Sequence, residues 1–466
     1  MKIVLSTHHY PPRYVAGVEL FTARLARQLT NRGHTVDVVC VEEIDAAVPL
    51  SVTTDRHDGI HVHRLGLQLT GQPVGLGVRF RDDRLRDWFA DFFRQRRPDI
   101  FHSQSSYLLS ASPLEAAHSA GIKTVVTLHD YWYLCPRLIL LRSSGQICAT
   151  SASPADCAWC LMGERRRFRP VTALRHRWNG QKQDRSDGVP WRWLVDRSLL
   201  ALMEERQRYV LDRLRATDAL ISPAPLARDL LIRQGVPAEQ IRLVRFGLEV
   251  GLPAAARRRC QAGGLRIGYL GQVAPHKGVH VLIEAYRALA VTAPQVELAI
   301  YGDLTRFPEY TARLQRSAAG LPAVRFMGAY DNRRIGEVLR DLDVVVVPSL
   351  WFEISPLVIL ESFSAGVPVI ASRQANLAWL VRAEEDGLLF TPGDAADLAR
   401  QLRRLIDEPG LLARLAAGIR PVRTVDDEVD ELETLYRSLL VKTDIDRQVT
   451  PDGMDAPPRG AVVAGG

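Results

Sequence analysis

Short runs of apolar, often β-branched residues alternate with helix-spaced segments in two successive blocks of this chain. That alternation limits the fold more than any other feature. Lys2 to Ser6 reads as a buried strand, and the loop His8-His9-Tyr10-Pro11-Pro12 follows it. From Val18, the residues Leu20, Phe21, Ala23, Leu25, Ala26 and Leu29 recur at helical spacing, and Arg32-Gly33-His34 closes that helix. Val36 to Val41 is the next strand. Strands that are apolar almost throughout are covered on both faces, which calls for a parallel sheet with helical crossovers.

The pattern continues through strands at Asp99–His102, Thr124–His129, Ala219–Ser222 and Ile241–Phe246, with a helix around Leu114 to Ala120. An Ala-, Arg- and Gly-rich stretch from Ala254 to Gly264 reads as a linker. Beyond it, Leu265–Leu270, Val296–Tyr301, Val324–Met327, Val344–Val347 and Pro368–Ala371 read as strands, with a helix at Val279–Ala290. The expectation is an α/β protein of two Rossmann-like doubly wound domains facing across a cleft. The first covers 1–250, with a Cys-containing segment at 135–160 and a basic helical insertion at 161–215. The second covers 265–425, a helix at 426–442 crosses back to the first domain, and 443–466 forms a disordered tail.

Hydrophobic residues make up 47% and charged residues 24% of the 466, which excludes a mainly disordered chain. No segment reaches the roughly 20 uninterrupted apolar residues of a membrane span, and the run after Met1 is too short for a signal peptide. The reading is cytoplasmic. A net charge of +7 and a pI near 9.2 admit phosphate-bearing ligands, anionic lipid or nucleic acid without choosing among them.

The strongest chemical signal is Trp351-Phe352-Glu353-Ile354-Ser355-Pro356-Leu357-Val358-Ile359-Leu360-Glu361. A helix starting near Glu353 would place Glu361 a little over two turns on, so both carboxylates could address one cleft. N–H groups from Ser355 onward would then offer a diphosphate site. The plainer alternative is a pair of solvated surface carboxylates, although an unpaired Glu361 among Leu360, Phe363 and Ala365 would be costly to bury. A second signal is the Gly-turn Gly268-Tyr269-Leu270-Gly271-Gln272-Val273-Ala274-Pro275-His276-Lys277-Gly278, which sets a lysine just ahead of a helix.

These residues resemble the E-x7-E motif and phosphate loop of the family-4 glycosyltransferases, from Met1 to about Val441. The resemblance implies the GT-B fold and a retaining transferase that takes its sugar from a nucleotide diphosphate-sugar. It places Glu353 on the donor sugar hydroxyls, Glu361 on the nucleotide ribose, and Ser355, Pro356 and Leu357 along the sugar and phosphates. It sets Lys277 on the diphosphate, Gly17 beside the phosphates, His129 facing the donor sugar, and Gly271 and Met327 at the cleft edge near the nucleotide. Glu353, Lys277 and His129 are the catalytic candidates it implies. The sequence departs from the family at Gln272, where an arginine is usual, and at Ala16, where a second glycine is usual. Arg266 and Arg245 are candidates to replace the missing charge. No Asp-x-Asp motif accompanies the donor loops, so no cofactor is expected for catalysis.

Cys135, Cys148, Cys157 and Cys160 lie close in sequence, and the last two have the C-x2-C spacing of a tetrahedral zinc site. A structural zinc ion, reduced thiols and a disulfide all stay open. Arg165-Arg166-Arg167-Phe168-Arg169, followed by Trp178, Trp191 and Trp193, suits an anionic membrane surface, an acidic acceptor or an ordinary solvated face. Peripheral membrane contact at the inner face is the expectation, with a lipid-linked or polysaccharide acceptor of the cell envelope. The rival functions are another GT-B enzyme such as an epimerase or phosphorylase, a non-catalytic sugar-nucleotide binder, and a nucleic-acid binder. No recognised motif supports the last, and no nucleic-acid partner is expected.

Overall fold

A computed structural model describes residues 1–69, 79–148, 153–164, 195–249, 264–291 and 293–449, with side chains as far as Val441. The described residues form two sheets, one for each block of the sequence. The first has β1 (Lys2–Thr7), β2 (Thr35–Glu43), β3 (Asp45–His57), β4 (Ile60–Gln68), β5 (Ile100–Ser103), β6 (Lys123–Thr127), β7 (Ala219–Ser222) and β8 (Ile241–Leu243), in the order β3-β4-β2-β1-β5-β6-β7-β8. All neighbours are parallel except the β3–β4 hairpin. The second has β9 (Leu265–Leu270), β10 (Val296–Tyr301), β11 (Val324–Gly328), β12 (Val344–Val347), β13 (Val369–Ser372) and β14 (Gly387–Phe390). Its order is β11-β10-β9-β12-β13-β14, parallel throughout.

The period of two along each strand fills two cores per domain. Ile3 and Leu5 of β1 and Val36, Val38 and Cys40 of β2 face one core, with helices Gly17–Asn31 and Val425–Val449. Val4, Val39 and Val41 face the other, with helices Asp83–Arg96, Ser112–Ser119 and Arg197–Arg215. In the second domain Val344 and Val346 face one core while Val345 and Val347 face the other. Each buried valine or leucine contributes about 1.5–3 kcal/mol, so a one-residue register slip would expose a whole strand's apolar set.

The structure corrects several sequence expectations. The strand expected over Thr124–His129 stops at Thr127, and the one expected over Ile241–Phe246 stops at Leu243. The helix expected to start near Glu353 begins at Leu357, because Pro356 occupies the cap position with extended backbone. The C-terminal helix runs on to Val449, so 443–449, assigned to a disordered tail, are helical. No proline or glycine interrupts it before Pro451. Of the basic insertion, 161–164 end helix Pro154–Glu164 and 197–215 form a single helix, while 165–194 lie outside the described residues. Most of the linker and residues 450–466 also lie outside them.

Helix Val425–Val449 makes contacts with the first block of strands. Glu433 meets His34 Nε2 at 2.8 Å and Tyr436 OH meets buried His102 Nδ1 at 2.6 Å.

Candidate active site between the domains

Both sheets reverse their order at one point, between β1 and β5 in the first and between β9 and β12 in the second. Ligands of doubly wound sheets bind in the crevice at the carboxyl ends of the strands at such a point. The loops that leave these strands carry most of the candidate residues.

After β9 the chain turns through Gly271 into the short 3-10 turn Pro275–Lys277 and then Gly278, which has φ +74°. A Cβ at Gly278 would overlap the Pro348 carbonyl oxygen, so the loops after β9 and β12 touch backbone to backbone. Leu350 N–H donates to the His276 carbonyl at 2.8 Å and seals the contact. Lys277 is thereby set against Glu353.

Glu353 is 5% exposed, and its Oε1 accepts from Lys277 Nζ at 2.7 Å, Ser349 Oγ at 2.6 Å and Trp351 Nε1 at 2.9 Å. A carboxylate buried this deeply needs such donors. Among the described residues its Oε2 accepts none. The Lys277 ammonium also lies 4.9 Å from the centre of the Trp351 ring. Asn376 fixes the glutamate's backbone, its Nδ2 donating to the Glu353 carbonyl at 2.7 Å and to Tyr131 OH at 3.2 Å. Its Oδ1 accepts the Leu226 N–H at 3.2 Å, so one amide joins this loop to the first domain.

Glu361 lies on helix Leu357–Ser364, a little over a turn in, and is buried. Burial pushes its carboxyl pKa up, against Arg24 of the first domain and a hydrogen bond with Asn332. Ser355, Pro356 and Leu357 are half-buried where this helix begins, and no side chain caps it. Leu357 and Leu360 pack against the apolar cluster that holds Phe21 and Phe246 of the first domain. Helix Val279–Ala290 likewise has no side-chain cap. Met327 is 48% exposed at the end of β11.

Both residues suggested in place of an arginine at position 272 have partners of their own. Arg266 pairs with Asp343 at 2.9 Å, and the Arg245 guanidinium lies over Trp379. Arg306 is the cation beside Gln272. With the amide oxygen turned toward the guanidinium, it accepts from Arg306 Nε and Nη1 at 3.0 and 3.1 Å.

On the facing side, Gly17 opens helix Gly17–Asn31 with no side-chain cap, and a Cβ there would meet nothing within 4 Å. His129 follows β6, wedged between the rings of Phe21 and Phe246 at 4.6 and 5.0 Å, with Nε2 2.9 Å from Gln104 Oε1. Burial, with His102 and His8 nearby, pushes its pKa down to about 3, so the ring is neutral near pH 7. His8 Nε2 lies 3.3 Å from Glu19, a buried carboxylate in the first turn of the opening helix.

Sequence reading missed Ser349, Asn376, Gln104, Arg306 and the His8–Glu19 pair as functional candidates. Ser349, Gln104 and His8 had position as a signal, since polar residues just past buried parallel strands line the crevice, whereas Asn376, Arg306 and Glu19 lie further along the chain and had none.

Cys135, Cys148, Cys157 and Cys160 form no disulfide, and Cys157 and Cys135 feel the Arg206 guanidinium, which is buried and donates to the Trp132 carbonyl. Burial raises the Cys157 pKa, as does the charge of each of the other three thiols. Among the described residues no three His, Cys, Asp or Glu side chains are placed to hold a metal ion.

Two Rossmann-type domains that meet at the carboxyl ends of their strands, with a buried carboxylate–lysine pair at the junction, make a GT-B protein. The chain belongs to glycosyltransferase family 4, whose model matches residues 15–251. A second model, glycosyl transferases group 1, matches residues 264–408. Glycogen synthase of Mycobacterium tuberculosis is 30% identical over 213 residues, 46% of this chain and 51% of that protein. The chain spans about half the length of the curated relatives it matches. Sucrose-phosphate synthase from Thermosynechococcus elongatus superposes with a TM-score of 0.64 at 18% identity, over 95% of this chain and 99% of that one. The Anabaena HepE protein in complex with UDP and glucose superposes with a TM-score of 0.62 at 19% identity, over 94% and 100%. At these identities the structural likeness speaks for the fold.

Proposed function

We propose that the protein is a retaining hexosyltransferase that takes a sugar from a nucleotide diphosphate donor held between the two domains. The observation that carries this reading is the Glu353–Lys277 pair at the second domain's switch point. One carboxylate oxygen is held by three donors, and the other is left to accept from a sugar hydroxyl. The uncapped starts of helices Val279–Ala290 and Leu357–Ser364 offer N–H groups to phosphate oxygens. HepE, of the same fold, is in complex with UDP and glucose.

Glu361 would bind the ribose, Gly271 and Met327 would border the nucleotide, and Ser355, Pro356 and Leu357 would line the sugar and phosphates. Neutral His129 would exchange hydrogen bonds with the donor sugar while Gly17 leaves room for phosphate. Retention follows if the leaving diphosphate oxygen takes the acceptor's proton on the face it departs from. The enzyme then supplies charge stabilisation and orientation. A thermal-shift screen against UDP, GDP, ADP, dTDP and their sugars, comparing wild type with Glu361→Ala, tests the donor site. No shift with any of them defeats the reading. The anomeric configuration of the product, read by NMR, tests retention.

Two subsidiary proposals have their own tests. A structural zinc ion at the four cysteines is supported by their proximity, since Cys157 feels the charge of each of the other three. The thiols would have to draw inward to bind it. Zinc well below one per chain in untagged protein removes the idea. Peripheral attachment through the basic stretch, at the cytoplasmic face and near an envelope acceptor, is tested by flotation with anionic liposomes. No described helix is long and apolar enough to cross a membrane.

A further inference from the structure

A nucleoside diphosphate brings two or more negative charges into the crevice, and the nearest loop meets it with few cations of its own. Gln272 is neutral, and Lys277 already neutralises buried Glu353 at 2.7 Å. Arg306 stands beside them on the loop after β10, which is packed against the phosphate loop itself. Gly302 has φ +154°, and a Cβ there would overlap the Gly271 carbonyl oxygen. Asp303 turns the same loop, its Oδ1 accepting from Thr305 N–H at 2.8 Å and Thr305 Oγ1 at 2.7 Å. With the Gln272 amide oxygen turned toward it, two hydrogen bonds then fix the guanidinium.

Arg306 has an exposed side chain; Asp303 of the same loop feels its charge, but among the described residues no carboxylate forms an ion pair with it. The guanidinium is near enough to His276, next to Lys277, and to Tyr107 of the first domain for both to feel its charge. His276 is pushed down to about 4 by burial first and then by Lys277, with Arg306 adding to it, so it contributes no competing charge near pH 7.

We propose that Arg306 is the diphosphate-binding cation of this chain, with Gln272 as its tether. The charge that position 272 lacks is delivered from the adjacent loop by a neutral amide that orients a guanidinium without neutralising it. A guanidinium held this way keeps free N–H donors for two phosphate oxygens. This inference rests on the donor reading above and concerns its diphosphate alone.

The test is calorimetric titration of the intact protein with whichever of UDP, GDP, ADP or dTDP stabilises it most, and with the matching monophosphate. Arg306→Ala should weaken diphosphate binding at least tenfold, weaken monophosphate binding much less, and leave Tm unchanged. Arg306→Lys should recover part of the loss, and Gln272→Arg in the Arg306→Ala background should recover most of it. Diphosphate affinity within twofold of wild type in Arg306→Ala, while Glu361→Ala loses binding, overturns Arg306 and leaves the donor reading standing. Equal losses for diphosphate and monophosphate overturn the assignment to the diphosphate. Failure of Gln272→Arg to restore binding overturns the claim that Arg306 stands in for a cation at 272. A wild-type protein that binds none of the nucleotides overturns both readings together.

Discussion

Replacing Glu428 by glutamine removes a carboxyl group that the fold keeps protonated well above the ordinary carboxylate range. The side chain is 4% exposed on helix Val425–Val449, and its Oε2 accepts the Gly247 N–H at 2.7 Å. Burial raises its pKa from 4.5 to about 7, against the opposing effects of that hydrogen bond, Arg423 and Arg24. The folded state therefore holds a proton that the unfolded chain releases. The associated stability is fully present below about pH 4.5 and is lost as pH rises to about 7. The gap corresponds to about 3 kcal/mol, at ~1.4 kcal/mol per pH unit.

Glutamine keeps an oxygen for Gly247 and stays neutral. The Tm of Glu428→Gln minus that of wild type should be near zero at pH 4.5. By pH 8 it should reach roughly 6–12 °C, at about 2–4 °C per kcal/mol for a domain of this size. Taking the difference cancels His102, His129 and His276, whose pKa values burial lowers to about 3, about 3 and about 4. Their contribution runs the other way, being present above about pH 6.5 and lost as pH falls. Scanning calorimetry from pH 4.5 to 8 makes the measurement. A difference that stays constant with pH, or a variant less stable than wild type at pH 8, refutes the reasoning.

Other substitutions separate structural from functional roles. Gly278→Ala and Gly302→Ala should each lower Tm by several degrees or leave the protein insoluble, since both combine a positive φ with a carbonyl contact. Gly17→Ala should leave Tm within about a degree and lower kcat/KM for the donor sugar, because only a bound ligand would meet the added methyl. His129→Gln should lower kcat more than KM, and the wild-type pH–rate profile should show no limb near 6.5 from this residue. Asn376→Ala removes the bonds to Tyr131, Glu353 and Leu226. It should raise the donor KM and increase the radius of gyration of the free protein in small-angle scattering.

The fold class was legible in the chain, because short β-branched apolar runs such as Val344–Val347, alternating with helix-spaced segments, suit a sheet covered on both faces. The sequence also marked which loops matter, since the glycine turn before Lys277 and the two glutamates eight residues apart are local patterns. The β3–β4 hairpin escaped because β3 is mostly exposed and lacks alternation. Its one signal was Asp58-Gly59, where both residues take the positive φ of a two-residue hairpin turn. Strand ends and helix starts were misjudged by two to four residues, at His129 and Glu353, because side-chain contacts set them and periodicity does not. Partners were not legible before folding. Arg306 reaches Gln272, Asn376 reaches Tyr131 and Glu428 reaches Gly247 across long stretches of chain, and a hydrogen bond leaves no trace in the spacing of residues that distant. Local composition fixes which elements form. Which charges stand beside which backbone is settled only when the two sheets bring their reversal points face to face.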